Sequence, residues 1–209
     1  MTTLNQYFDC IICISLLRRQ DRRDHAIAEA KKHKFTFEFF DGYDIKDEGG
    51  GNYGCNCSHR AVMEIIAWNR WPRVLVLEDD FEFVVPDANA AFSEMISEVP
   101  EDWEFLYLGG HFADDPKYRH SKHVIRFNQM LTTSSYAVTW QTARTVAPWI
   151  QGGSGIDSLM SGFTEKMRAY ILDPRICCQY TSFSDIQCRE MENKTCMTDS
   201  SHIERMDKR

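Results

Sequence analysis

Three consecutive acids, Glu78, Asp79 and Asp80, directly follow the apolar run Val74-Leu75-Val76-Leu77. Carboxylates side by side repel one another unless something positive holds them. Alternation along a strand places Glu78 and Asp80 on one face and Asp79 on the other. Oxygen donors at i and i+2 suit Mg²⁺ or Mn²⁺, which take carboxylates, water and substrate phosphates. The same acids equally suit a solvated strand terminus. A second charged group follows Ile14-Ser15-Leu16, where Arg18, Arg19, Arg22 and Arg23 gather. Arginines that open a helix beyond a strand present forked donors to phosphates, reinforced by the positive helix end. A solvated helix start gives the same pattern.

Further candidates are single residues. His59, in Gly54-Cys55-x-x-Ser58-His59, suits a hydrogen bond to ribose or phosphate and equally a structural one. His111, after Gly109-Gly110, stands at a strand end where an acceptor or leaving group would lie. Asp185 and His202 are candidates to complete a metal shell from the C-terminal side. Trp68, Trp71 and Trp103 read as core rather than as sugar platforms. No G-x-x-x-x-G-K-[ST] occurs and no G-x-G-x-x-G follows a strand, which disfavours P-loop and dinucleotide enzymes.

The elements that must position these groups alternate in type. Residues 10–16 (CIICISL), 35–40, 73–77, 104–108, 124–127, 135–140, 170–172 and 176–180 read as strands. Residues 22–33 read as a helix with Ala26, Ile27 and Ala30 on one side. Further helices are expected at 58–68, at 87–98 capped by Asp87, at 141–150, and from Ile156 after the glycines of 152–155. Residues 49–54, with four glycines, read as a flexible stretch, 112–122 as a polar loop, and the tail from about 191 as loosely ordered. This alternation is that of an α/β domain.

The 209 residues fit one domain spanning 1–209. With 43% hydrophobic and 26% charged residues the chain is neither disordered nor fibrous. A net charge of −7 argues against a nucleic-acid partner. No apolar run approaches the ~20 residues of a membrane span, and no signal peptide is evident, so a cytoplasmic protein is expected. The eight cysteines lack zinc spacing. Cys10 and Cys13 point to opposite faces of a strand, Cys177 and Cys178 are adjacent, and Cys55 and Cys57 flank one residue, so free thiols are expected. Asn193-Lys194-Thr195 spells a glycosylation acceptor that reads as a surface loop.

Taken in order, Ile14-Ser15-Leu16 with its arginines, Gly54-Cys55-x-x-Ser58-His59 and Val76-Leu77-Glu78-Asp79-Asp80 resemble glycosyltransferase family 25. That family includes lipooligosaccharide and collagen hydroxylysine galactosyltransferases. The resemblance continues through Leu106-Tyr107-Leu108-Gly109, Ser135-Tyr136-Ala137-Val138, Ile156-Asp157 and Ser184-Asp185-Ile186-Gln187, covering roughly residues 8–187. The region after Asp44 is shorter than in many relatives, and compact domains of this kind also occur in large DNA viruses.

The resemblance implies a GT-A fold, with a central mixed sheet flanked by helices, and a metal-dependent inverting hexosyltransferase. The donor would be a UDP-sugar of the UDP-galactose or UDP-glucose type, and the acceptor a hydroxyl of a glycan or glycoprotein. By the same resemblance Asp80 and Glu78 match the metal-binding acids, and Glu78 and Asp79 touch ribose or metal-bound water. Ser15, Leu16, Arg19, Arg22, Arg23 and His59 sit near the nucleotide, Tyr43 and Asp44 contact uracil, and Asp157 is the base that accepts the acceptor hydroxyl's proton. Asp157 equally suits a helix N-terminal acid. Two other functions fit the same acids: a metal-dependent nucleotide hydrolase or nucleotidyltransferase, and a non-catalytic carbohydrate-binding domain. A nucleotidyltransferase usually carries a glycine-rich, lysine-containing loop after its first strand, where this chain has arginines.

Overall fold

The computed structural model describes residues 1–45, 50–152, 154–186, 189–191 and Ile203. The chain runs α1 (Leu4–Tyr7), β1 (Cys10–Ser15), α2 (Gln20–His33), β2 (Glu38–Asp41), α3 (Gly50–Asn69), β3 (Val74–Glu78), β4 (Phe81–Phe83) and α4 (Ala88–Ile96). It continues with β5 (Phe105–Tyr107), β6 (His111–Phe112), β7 (Tyr118–Arg119), β8 (Val124–Arg126), β9 (Met130–Leu131), β10 (Ser135–Val138) and α5 (Trp140–Val146). A short 3₁₀ turn (Ala147–Trp149), α6 (Ile156–Thr164), β11 (Ala169–Leu172), β12 (Cys177–Gln179), β13 (Ser182–Ser184) and β14 (Arg189–Met191) follow.

Eight strands form a mixed central sheet in the order β2-β1-β3-β10-β5-β11-β8-β7. β2, β1 and β3 are parallel, whereas β10 runs antiparallel to both β3 and β5. Apolar side chains cover both faces, which is why the strands read as unbroken apolar runs. Ile11, Cys13, Leu75 and Leu77 enter one core with residues of α2, β4 and α4. Ile12, Ile14, Val74 and Val76 enter the other, with residues of α3, α5 and α6. Each such side chain contributes roughly 1.5–3 kcal/mol when buried. The architecture is the expected α/β one, a mixed sheet flanked by helices. Among the described residues no helix is long and apolar enough to cross a membrane.

Several local expectations are corrected. The glycine-rich stretch is not a flexible segment from residue 50 onward, because α3 already begins at Gly50. Glycine is required there by proximity: a Cβ at Gly54 would fall 2.4 Å from the carbonyl oxygen of Tyr43. Residues 112–122 are not all loop, since β6 and β7 both take part in strand pairs. The buried side of α2 is Ala26, Glu29, Ala30 and His33, and Ile27 is exposed. Trp103 is core, but Trp68 is 87% exposed near the end of α3. β4 escaped notice because its residues directly follow the acids; it pairs with β12. That crossing runs so close to the main sheet that a Cβ at Gly109 would lie 1.7 Å from the Cys177 carbonyl oxygen. All six described cysteines are free thiols. The sequon at 193–195 and His202 lie outside the described residues.

Candidate active site

Parallel β1 and β3 end on the same edge of the sheet, and antiparallel β10 brings its beginning there. The backbone knits this corner: Glu78 N–H donates to the Ser134 carbonyl (3.0 Å) and Asp79 N–H to that of Ile14 (3.1 Å). A cleft of about 670 Å³ opens at this edge. Such positions beyond carboxyl strand ends are where α/β sheets gather ligands. Ser15, Leu16, Arg19, Arg22, Tyr43, Asp44, His59, Glu78, Asp79, Asp80 and Asp157 all line it, as do Arg18, His111 and Asp185.

The three acids have different partners. Asp79 accepts from Ser15 Oγ (2.7 Å) and Arg22 (2.8 Å), and Arg22 also lies 3.2 Å from Asp80. The expected opposition of Asp79 to Asp80 is therefore corrected: the chain turns after Glu78, and one guanidinium serves both aspartates. Burial, opposed by Arg22 and aggravated by Glu78 and Asp79, pushes Asp80 up to about 7. Asp79 is raised in the same direction by burial, against the pull of Arg22 and Ser15. Glu78 goes the other way. Burial disfavours its charge, but hydrogen bonding and charge from His59, with help from Thr133 and Arg22, hold it below the usual range.

His59 is fully buried, with Nε2 3.2 Å from Glu78 Oε1 and Nδ1 2.9 Å from the Tyr136 hydroxyl. Thr133 donates its hydroxyl to Glu78 and lies 3.1 Å from Asp157 Oδ1. Asp157, in the first turn of α6, is pushed up to about 6 by burial and then by Glu78, against Thr133 and His59. The loop preceding α6 is tied to α3, for the amide of buried Asn56 donates to the carbonyls of Gln151 (3.0 Å) and Ser154 (2.8 Å).

The arginines divide as well. Arg18 pairs with Asp44 (2.7 Å) and Asp185 (2.9 Å), and Arg19 with Asp21 and Asp185. Asp185, a candidate ligand from sequence, is thus held by two arginines, whose hydrogen bonds outweigh burial and lower it. Arg22 also reaches Ser182 and the Phe183 carbonyl of β13. The expectation that Arg23 joins the nucleotide group is corrected: it does not line the cleft, but pairs with Asp41 and lies over the Phe39 ring. Tyr43 is half-exposed at the rim.

Thr133, Gln179 and Cys55 were missed as site residues. Gln179 Nε2 contacts Glu78 Oε2 (3.3 Å) and Asp80 Oδ1 (3.4 Å). Its approach depends on the register that sets Gln179 opposite Phe81. Thr133 arrives only because β10 is antiparallel, and neither pairing is visible in a single sequence. Cys55 did carry a signal, one helical turn before His59.

No family model matches this chain, and no curated protein matches it. Among solved structures it is similar to A197 from the virus STIV, at 12% identity and TM-score 0.47, covering 94% of this chain and 96% of that one. A glycosyltransferase involved in glycosylation of the PBCV-1 major capsid is 13% identical, with TM-score 0.47, over 79% and 82% of the two chains. A Drosophila galactosyltransferase solved with manganese, UDP-Gal and xylobiose is 9% identical, with TM-score 0.41, over 88% and 69%. At such values these likenesses concern the general course of the chain.

Proposed function

We propose that this chain is a divalent-cation-dependent inverting glycosyltransferase of the GT-A type. It moves a hexose from a UDP-galactose- or UDP-glucose-like donor to a hydroxyl of a glycan or glycoprotein. The observation that carries this reading is the division of the cleft's carboxylates. Asp79 and Asp80 share Arg22 beside an arginine-rich rim, while Asp157 stands apart behind Thr133 with its ionisation near neutrality. Sugar transfer needs both ends: a cationic one for the charge left on the diphosphate, and a base for the acceptor's proton.

A hard cation fits the donor set. Glu78 and Asp80 both reach the single amide nitrogen of Gln179, so two carboxylate oxygens converge on one region, where Asp80 shares the Arg22 guanidinium with Asp79 and Glu78 is met by His59 and Thr133. Glu78 and Asp80 would hold Mn²⁺ or Mg²⁺, which when bound stabilises developing charge on the leaving diphosphate as a Lewis acid. Arg19 and Arg22 give forked donors to phosphate oxygens. Ser15 and Leu16 bound the nucleotide pocket, Tyr43 stacks on uracil, and Asp44 accepts from it. Asp79 faces the ribose, and His59 fixes the rotamer of Glu78. Asp157 takes the acceptor hydroxyl's proton as the oxygen attacks the anomeric carbon opposite the departing diphosphate. At neutral pH a group ionising at about 6 is mostly charged and returns that proton to water.

The test is UDP release from a panel of UDP-hexoses, with Mn²⁺ or with EDTA. Mn²⁺-dependent release by the wild type, lost in Asp157→Asn, supports the proposal. Release indifferent to EDTA, or retained in Asp157→Asn, contradicts it.

A further inference from the structure

One helical turn separates Cys55 from His59 on α3, so the two side chains share a face. The Cys55 sulfur, a His59 ring nitrogen and a Glu78 carboxylate oxygen lie within 4.8 Å of one another. We propose that these three groups form a binding site for a zinc-class cation. The site shares Glu78 with the all-oxygen set of Glu78 and Asp80 but adds a sulfur and a nitrogen donor, and it stands on this geometry whatever reaction the cleft performs.

Thiolate, imidazole and carboxylate are the ligands zinc takes, whereas Mg²⁺ and Mn²⁺ favour oxygen. Three protein ligands with a fourth position open is the pattern of zinc sites that bind exchangeable groups. Here the open side is the cleft, because Cys55, His59 and Glu78 all line it. His59 is already oriented for the task. Its Nε2 points to Glu78, and its Nδ1 lies 2.9 Å from the Tyr136 hydroxyl. With Nε2 on a metal, Nδ1–H donates to the Tyr136 oxygen, the outer hydrogen bond that holds metal-bound imidazoles in place. As the sulfur–metal bond forms, the Cys55 thiol gives up its proton to water. Spacing between cysteines conceals such a site, since the cysteine's partner one turn on is a histidine.

The test uses Co²⁺ as a visible probe on the full chain freed of metal by chelation. Expected is a thiolate-to-cobalt charge-transfer band saturating at one Co²⁺ per chain and abolished by one equivalent of Zn²⁺. Cys55→Ser should lose the band and bind Zn²⁺ at least about tenfold more weakly. Cys57→Ser, altered at a thiol outside the cleft, should keep both. Because Cys55→Ser can fail to fold, alkylation of the wild type followed by mass spectrometry provides a second reading: Zn²⁺ should protect Cys55 selectively. Absence of the band in the wild type, its persistence in folded Cys55→Ser, or equal alkylation of Cys55 with and without Zn²⁺ would each overturn the site. The transferase reading is judged separately, by Mn²⁺-dependent UDP binding in the same Cys55→Ser protein. Retention there with loss of the cobalt band shows that the two donor sets, joined at Glu78, are loaded independently, and loss of both is resolved by the alkylation result.

Discussion

Thr133 has one hydroxyl proton and faces two carboxylates, Glu78 and Asp157. That proton serves one acceptor at a time, and the short contact goes to Glu78, the acid held ionised. Asp157 is left under-compensated, which is the condition a general base requires. Transfer should therefore rise from the acid side roughly tenfold per pH unit and level above about 6, where Asp157 is charged. A profile flat from pH 5 to about 8 would remove Asp157 from that role. Asp80 carries a different signature. It ionises at about 7 in the fold against 3.8 ordinarily, so between those values the folded chain holds a proton the unfolded chain has lost. Its contribution to stability is greatest below about pH 4 and is lost as pH rises toward 7. Asp80→Asn should accordingly stabilise the metal-free protein at about pH 8 by ~1–3 kcal/mol, read as a higher melting temperature. A lower melting temperature would mean that Arg22 compensates both aspartates fully.

At the scale of elements, α3 reaches two parts of the site. It carries Cys55, Ser58 and His59 into the cleft, and through Asn56 it grips the carbonyls of Gln151 and Ser154 before α6. Asn56→Ala leaves those carbonyls without that donor, at a cost of about 1–3 kcal/mol. It should lower kcat while leaving UDP affinity within about twofold, measured by steady-state kinetics and titration. A matched loss of UDP affinity would mean that α3 acts through the donor pocket instead. The strands of this site were legible because β1 and β3 are apolar on both faces, and the acids were legible because they end one of them. The start of α3 was not, since glycines that serve close approach to Tyr43 read locally as a flexible segment. Glu29 and His33, polar residues on the buried side of α2, concealed its true face: Glu29 accepts from Phe83 N–H and His33 from Ala88 N–H.

For the whole molecule, the cleft lies where β1, β3 and β10 meet and is closed by α3, α6 and β13, so a ligand there touches elements distant in sequence. Binding should stabilise the entire fold. UDP with Mn²⁺ at about one hundred times Kd adds ~2.7 kcal/mol, which for a chain of this size raises the melting temperature by about 5–10 °C. Thermal scans with UDP alone, Mn²⁺ alone and both check this, and equal shifts with and without Mn²⁺ would sever metal from nucleotide. Sheet order was the least legible level. Individual strands announce themselves by burial, but the antiparallel insertion of β10 between β3 and β5, which delivers Thr133, follows from long-range pairing alone.

The most direct test is calorimetric titration of UDP into the wild type and Asp80→Asn, each with Mn²⁺ and with EDTA. The wild type should bind UDP in the micromolar range with Mn²⁺ and at least about tenfold more weakly in EDTA, whereas Asp80→Asn should bind weakly and identically in both. Wild-type binding that ignores Mn²⁺, or an Asp80→Asn protein that keeps the full metal effect, would contradict a cation-assisted UDP site at these acids.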